Sequence, residues 1–394
     1  MLPIEIKKGV YWVGGIDWDL RNFHGYLTQR GSSYNAYLIT GEQNILIDNV
    51  KPHLFEQLIT RIEKIIDPRK IDILIQNHVE MDHSGSLPKL LELNPKAMII
   101  TSPNGEKGLK LHYKKEWKFQ VVQNNEQLTL NNMVFHFLHT PMVHWPDNMV
   151  TYLTDDRILF SNDAFGQHIS SSERFDNEYP IDIVMEEAKK YYANIVFPYG
   201  EQVKKIIPVV EDINPDIIAP SHGIIWKKHI RAILKEYKKW SANETVEKAI
   251  IVYDTMWKST ELMAYAIMKG FENAKVPVEM FNLQVNHISD IMTSLLDSRY
   301  ICVGSSTLNS NILPSVAAFL TYMKGLAPKN RHAFAFGSYG WGGQSIPIIE
   351  DELKKLKFDL FPSIKEQYIP SEETLDKITV DIQKLIVINK TKKC

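Results

Sequence analysis

Only two of the 394 residues are cysteine, Cys302 and Cys394. Two thiols cannot build a disulfide framework, a four-thiolate iron–sulfur cluster or a rubredoxin-type iron site. Any electron chemistry here must rest on organic groups or on metals held by nitrogen and oxygen. An excess of one charge is also missing. Lys plus Arg number 45 against 47 for Asp plus Glu, a formal net charge of -2, so bulk charge offers no basis for binding nucleic acid. No run of about 18 apolar residues occurs, and no membrane-spanning helix is expected. The opening MLPIEIKKGVYW lacks the basic-then-apolar order of a secretory leader, and a reducing cytoplasm is the expected compartment. Short internal repeats and low-complexity tracts are absent. What remains, 44% hydrophobic and 23% charged residues, describes a folded chain long enough for two domains.

The first part reads as short β-rich runs with helices between them. Tyr34 to Thr40, Asn44 to Asp48, Ile71 to Gln76, Met98 to Thr101, Val134 to Leu138, Met149 to Leu153, Ile158 to Phe160 and Ile217 to Ala219 are the strands. Leu54 to Ile66, Met185 to Ala193 and the charged amphipathic segment Lys228 to Trp240 are the helices. A layered sandwich of sheets and helices is the expected result. From Lys248 the texture changes. AIIVYD, YICVGS and AFAFGS each run from apolar residues into small polar ones, with helical stretches between, the pattern of a doubly wound parallel sheet. The expected domains are 1–246 and 247–394.

Chemistry concentrates where strands end. Directly after Ile71 to Gln76 come His78, Glu80, Asp82 and His83, four metal-ligand types within six residues. Two carboxylates and two imidazoles crowded there are a poor choice for stability alone, because each needs a partner. A bound cation supplies one. His144 in PMVHWPD, Asp163 after ILFSN and His222 after DIIAP arrive at similar strand ends. Seven ligands suffice for two metals sharing one bridging carboxylate.

In the second part, Thr255, Met256, Trp257, Lys258, Ser259 and Thr260 form a polar loop before a helix, suited to a phosphate. The later loops carry Ser305, Ser306, Thr307, Leu308, Asn309 and Asn311, then Ser338, Tyr339, Gly340, Trp341, Gly342 and Gly343. They offer polar groups, close backbone approach and aromatic walls to a flat ring. No G-x-G-x-x-G follows the first strand, which argues against a Rossmann site for NAD or FAD.

The order His78, Glu80, Asp82, His83, His144, Asp163, His222 resembles the H-x-H-x-D-H…H…D…H hallmark of the metallo-β-lactamase superfamily, with Glu80 in place of the second histidine. That exchange hardens the site towards iron. Together with HWPD and NDAFG it is similar to the flavodiiron proteins, and the likeness runs through the whole chain. The resemblance implies an αββα metallo-β-lactamase-like sandwich followed by a flavodoxin-like domain. It implies two non-haem irons and FMN as cofactors, and an oxidoreductase that reduces dioxygen to water, nitric oxide to nitrous oxide, or both. His78, Glu80 and His144 match the ligands of one iron, Asp82, His83 and His222 those of the other, and Asp163 the bridge. In some members the histidine matching His83 is turned away from the metal. The histidine matching His24 lies close to the irons.

The family further implies a head-to-tail homodimer, or a dimer of such dimers, that brings FMN of one chain to the irons of the other. The usual flavodoxin loop T-x-T-G-x-T reads TMWKST here, without its glycine. The chain ends at Lys392-Lys393-Cys394, so an external donor is expected: rubredoxin, a reductase or reduced deazaflavin. Two readings compete with the reductase. One is a dinuclear zinc hydrolase fused to a flavin-binding regulatory domain, against which Glu80 speaks. The other is a flavodoxin carrier with a spent lactamase-like domain, against which the full ligand set speaks.

Overall fold

A computed structural model describes residues 2–391; the Lys392-Lys393-Cys394 end lies outside the described residues. The chain divides into two compact units, residues 1–192 with 199–241, and residues 193–198 with 242–394.

The first unit is built on two sheets. Seven strands run in the order Ile4–Lys7, Val10–Trp12, Tyr37–Ile39, Asn44–Ile47, Ile71–Ile75, Met98–Thr101, Phe119–Val121. Pairing is antiparallel as far as Asn44–Ile47 and parallel beyond it. Five more run in the order Gln127–Leu130, Met133–His139, Met149–Leu153, Ile158–Asn162, Ile217–Pro220, with only the last pair parallel. Alternation decides which face each side chain takes. Ile45, Ile47, Ile73 and Ile75 from one sheet meet Phe135, Phe137, Met149 and Leu153 from the other in one buried cluster. Leu46, Leu74 and Ile99 point the opposite way and pack with Leu58, Ile62, Leu87 and Leu90 of the helices outside. On the far face of the second sheet, Tyr152 reaches the carbonyl of Ile213, at the end of the helix Gly200–Ile213. The unit is therefore a helix–sheet–sheet–helix sandwich, as the resemblance implied.

The expected strand Tyr34 to Thr40 is broken in two, Ser32–Tyr34 and Tyr37–Ile39. The cause is Asn35. Its N–H donates to Ser221 O, its amide donates to Pro220 O and Gly223 O, and its Oδ1 accepts from the Trp12 indole at 2.8 Å. Trp12 is itself fixed, with the guanidinium carbons of Arg61 and Arg174 each 4.7 Å from its ring centroid. Buried cation–π pairs of this kind contribute about 2 kcal/mol each. This knot ties the first sheet to the loop that carries His222.

The second unit is a sheet with strand order Val278–Asn282, Val246–Asp254, Ser298–Ser305, His332–Tyr339, Asp359–Leu360, where Ile364–Gln367 also pairs with His332–Tyr339. Every pairing is parallel. Numbered along the chain this is the 2-1-3-4-5 order of flavodoxin-like sheets, whose ligand site lies at the carboxyl ends of the strands. Near-continuous apolar runs such as AIIVY are buried on both faces, as parallel strands require. Among the described residues no helix is long and apolar enough to cross a membrane.

Candidate metal centre

The strand Ile71–Ile75 leads into a loop folded over a buried carboxylate. Asp48 accepts hydrogen bonds from Asn77 N at 2.8 Å and Asn77 Nδ2 at 3.0 Å. Gln76 donates to the carbonyl of His78 at 2.6 Å. Burial lifts the Asp48 carboxyl to about 6, against the pull of these donors and of His83. Held in this way, His78 and Glu80 precede the short helix Met81–Ser84, while Asp82 and His83 lie within it.

The seven residues singled out in the sequence converge on two adjoining positions, His78, Glu80, His144, Asp163 and Asp82, His83, His222. Asp163 faces both. Its Oδ2 lies 3.6 Å from His78 Nε2 and 3.2 Å from His144 Nε2. Its Oδ1 lies 3.1 Å from His83 Nε2 and 3.3 Å from His222 Nε2. Glu80 Oε2 stands 3.4 Å from His78 Nε2 and 3.5 Å from His144 Nε2. Asp82 stands 3.4 Å from both His83 Nε2 and His222 Nε2. Ligands about 2.1 Å from one ion are spaced roughly 3.0–3.4 Å from each other, so these separations suit donors around a shared cation. His78 Nε2, His83 Nε2 and both oxygens of Asp82 and Asp163 are buried without a hydrogen-bond partner among the described residues. Unpaired groups of that kind are costly in a protein interior, and two metal ions would satisfy all of them. His83 is turned inward, not away.

Without metal, the buried carboxylates and imidazoles set one another's charge. Burial lowers the basicity of His78, but Asp147 and Glu80 more than reverse this and hold it well above its ordinary value. His222 is likewise raised, to about 10, by Asp163 and Asp82 against its burial. Asp163 stays well below the carboxylate range despite burial, because His83, His144 and His222 surround it.

Two orienting groups were not legible in the sequence. Asp147 Oδ2 accepts from His78 Nδ1 at 2.8 Å and from Val79 N at 2.8 Å. The loop is pinned by Ser102, whose hydroxyl donates to Asp147 O. The Ser33 carbonyl lies 3.0 Å from His222 Nδ1. Each contact turns the Nε2 atom to the metal side and fixes the tautomer. Asp147 stands in the HWPD stretch, which was the available signal; a backbone carbonyl leaves none. Asp147→Asn is expected to weaken metal binding at the His78 position about 10–100-fold, as measured by chelator competition. Equal retention in wild type and variant would mean that this contact does not orient His78.

His24 lies at the mouth, with Nε2 3.2 Å from Glu80 Oε1. A cleft of about 770 Å³ opens there, lined by Phe23, His24, Lys51, Glu80, His144 and Trp145. Behind the centre, Tyr191 and His168 place their rings 5.8 and 4.9 Å from that of His222. Tyr191 sits in a helix whose face no sequence pattern assigns to the site.

The cofactor-binding candidates gather at the strand ends of the second unit. Thr255 follows Asp254, which accepts from Thr255 N at 2.7 Å and from Gln284 Nε2 at 2.6 Å. Thr255 Oγ1 is buried without a hydrogen-bond partner among the described residues, a cradle atom suited to a phosphate oxygen. Lys258, at the place of the missing loop glycine, adopts the left-handed conformation with φ 68°. A non-glycine residue thus takes a left-handed turn in this loop, at a backbone cost of roughly 1 kcal/mol. Ser259 begins the helix Ser259–Asn273. Thr260 Oγ1 lies 3.0 Å from Ser306 Oγ and 3.1 Å from Ser338 Oγ, tying the three loops together. Ser305 caps Leu313 N, Thr307 N donates to Ser338 O, and Leu308 and Asn311 exchange backbone hydrogen bonds around Asn309. Gly340 follows Tyr339, and Gly342 and Gly343 have φ of 93° and 72°. Trp341, expected with Tyr339 as an aromatic wall, is 84% exposed, and Trp257 in the first loop is 87% exposed.

Residues 33–223 match the family described as ODP family beta lactamase, and residues 251–378 match flavodoxin. The chain is 42% identical to a nitric oxide reductase of Moorella thermoacetica, covering 95% of this chain and 96% of that one. It superposes on the rubredoxin oxygen:oxidoreductase of Desulfovibrio gigas with a TM-score of 0.97 at 37% identity, covering all of both chains. It superposes on the flavodiiron protein of Giardia intestinalis with a TM-score of 0.95 at 33% identity, covering 99% and 98%.

Proposed function

Because the chain belongs to the flavodiiron proteins, we propose that it reduces dioxygen to water, nitric oxide to nitrous oxide, or both, at two non-haem irons fed by FMN. The observation that carries this reading is the two-sided setting of Asp163, whose Oδ2 faces His78 and His144 of one position and whose Oδ1 faces His83 and His222 of the other. His78, Glu80 and His144 would hold one iron and Asp82, His83 and His222 the other, with Asp163 placed to serve both. The iron pair would supply two electrons and FMN two more, the four that dioxygen needs to become water. The protein residues set the conditions. Glu80, Asp82 and Asp163 favour the ferric charge. Asp147 and Ser33 keep His78 and His222 oriented. Phe23 and Trp145 give the cleft apolar walls, which suits a small uncharged gas. Thr255 to Thr260 would hold the FMN phosphate and the 305–311 loop the ribityl chain and ring edge, with Tyr339 and Trp341 available as aromatic walls for the ring. His24, hydrogen-bonded to Glu80, positions that ligand.

The zinc-hydrolase alternative loses ground to the family membership and to Glu80. The electron donor is external, a rubredoxin, a reductase or reduced deazaflavin, and the family resemblance supports a head-to-tail homodimer or a dimer of dimers in the cytoplasm. Anaerobically purified protein is expected to hold about two irons and one FMN per chain and to consume dioxygen, nitric oxide or both once reduced. Zinc without iron, with iron available during expression, would move the reading to hydrolysis. Iron without flavin would remove the second unit's assigned role.

A further inference from the structure

Glu187 is a buried carboxyl, 4% exposed, that the metal centre itself does not use. It lies on the helix Ile181–Tyr191 one turn before Tyr191, so the two side chains share a face. Tyr191 is at the centre, its ring 5.1 Å from that of His168 and 5.8 Å from that of His222. On the outer side, Arg30 Nε donates to Glu187 Oε1 at 3.1 Å, and the Arg30 side chain is 39% exposed. Arg30 also lies 3.7 Å from the exposed Glu186. A second line of contacts runs inward through Lys190. Its ammonium is 5.6 Å from the Tyr26 ring centroid, Tyr26 is 5.3 Å from the His168 ring, and His168 is 4.9 Å from His222. At the two ends of this stretch stand two buried polar atoms with no hydrogen-bond partner among the described residues, Glu187 Oε2 and His168 Nε2. Such atoms in native proteins are met by ordered water.

The reaction needs a route of this kind. Each dioxygen takes four electrons and four protons to give two waters. Each pair of nitric oxide molecules takes two electrons and two protons to give nitrous oxide and water. The cleft opens at Glu80 and His144, whereas His78, His83 and His222 are no more than 1% exposed, so a proton reaching the His222 side from behind must pass through the groups packed there. We propose that Glu187 is the proton-loading group for the metal centre: it takes a proton from solvent beside Arg30 and releases it along the Tyr191 side of its helix. It touches no reacting atom and acts through the groups between. The charged groups around it are Arg30 from the neighbouring segment and Glu186 and Lys190 from its own helix. Burial and Glu186 raise its carboxyl, Lys190 and Arg30 lower it, and the outcome is a value of about 7. A relay group works best near the operating pH.

This inference rests on the reductase reading, and the two fail differently. Wild-type protein with both cofactors that reduces neither gas would overturn the reading itself. The test of Glu187 mixes fully reduced holoprotein with dioxygen in single turnover across pH, which leaves the external donor out. Glu187→Gln is expected to retain iron and FMN, to slow at least about tenfold at pH 7, and to lose the pH step near neutrality. In Glu187→Ala, added acetic acid or imidazolium is expected to restore the rate. The infrared band of buried carboxylic acid at pH 6 should be weaker in Glu187→Gln than in the wild type, with Asp48 supplying the part that remains. An unchanged rate and pH profile in Glu187→Gln would overturn the proposal, as would a slowed Glu187→Ala that weak acids do not rescue. If the amide variant fails to hold iron, Glu187→Asp decides: a displaced pH midpoint supports the relay and an unmoved one refutes it.

Discussion

Asp163→Ala is expected to strip both metal positions at once. Each Asp163 oxygen lies 3.1–3.6 Å from two imidazole nitrogens of a different position, so one substitution removes a ligand from both. It also removes the anion that offsets the positive charge of two metals brought together. Iron content is expected to fall from about two per chain to well below one, and gas reduction by a factor of at least about 1,000. Asp82→Ala is the control. Asp82 faces only His83 and His222, so that variant should keep the His78 position loaded. Asp163→Ala protein that still carries two irons would mean that the carboxylate does not bridge.

The second large effect is a pH-dependent gap in stability between metal-loaded and metal-free protein. In the metal-free protein His78 and His222 are raised above the ordinary histidine value, His222 to about 10. Their stabilising contribution is complete below about pH 6.5 and is lost as pH rises through the folded value. Asp82 and Asp163 are depressed, so their contribution is present above about pH 4 and lost in acid. Metal-free protein should therefore be most stable in mildly acidic solution and weaken above neutrality. Metal binding runs the other way, because it must displace the histidine protons. A 100-fold gain in affinity adds about 2.7 kcal/mol, which corresponds to roughly 5–10 °C in Tm for a unit of this size. The gap in melting temperature between zinc-loaded and chelator-treated protein should widen by about that much from pH 6.5 to 9. Zinc serves here as a redox-silent probe. A gap that stays constant would show that the histidines are not protonated in the metal-free state.

The ligand set was legible because metal sites compress chemistry into short stretches. Four ligand types between His78 and His83 have no cheap structural explanation, and the later ligands each follow a strand. The polar loops at the strand ends of the second unit were legible for a related reason, since small polar residues ended each apolar run. Lys258 is the instructive departure. Its residue type hid the left-handed turn that its φ of 68° shows. Strand limits were less legible where a side chain overrode propensity. Tyr34 to Thr40 reads as one strand, but Asn35 binds across the sandwich to Pro220 and Gly223 and breaks it.

By itself the sequence determined the class of chemistry: nitrogen and oxygen ligands in a chain with two cysteines, in an order that belongs to one family, and a parallel-sheet unit with polar strand ends. These are properties of residue type, spacing and periodicity, which are local along the chain. Only the tertiary structure decided which groups orient those ligands and what surrounds them. Asp147 meets His78 from 69 residues away, and the Ser33 carbonyl meets His222 from 189. Glu187 meets Arg30 from 157 residues away, under a burial that moves its carboxyl to about 7. Such contacts depend on how sheets and helices stack, and burial is a property of the packed whole that no short stretch of sequence carries.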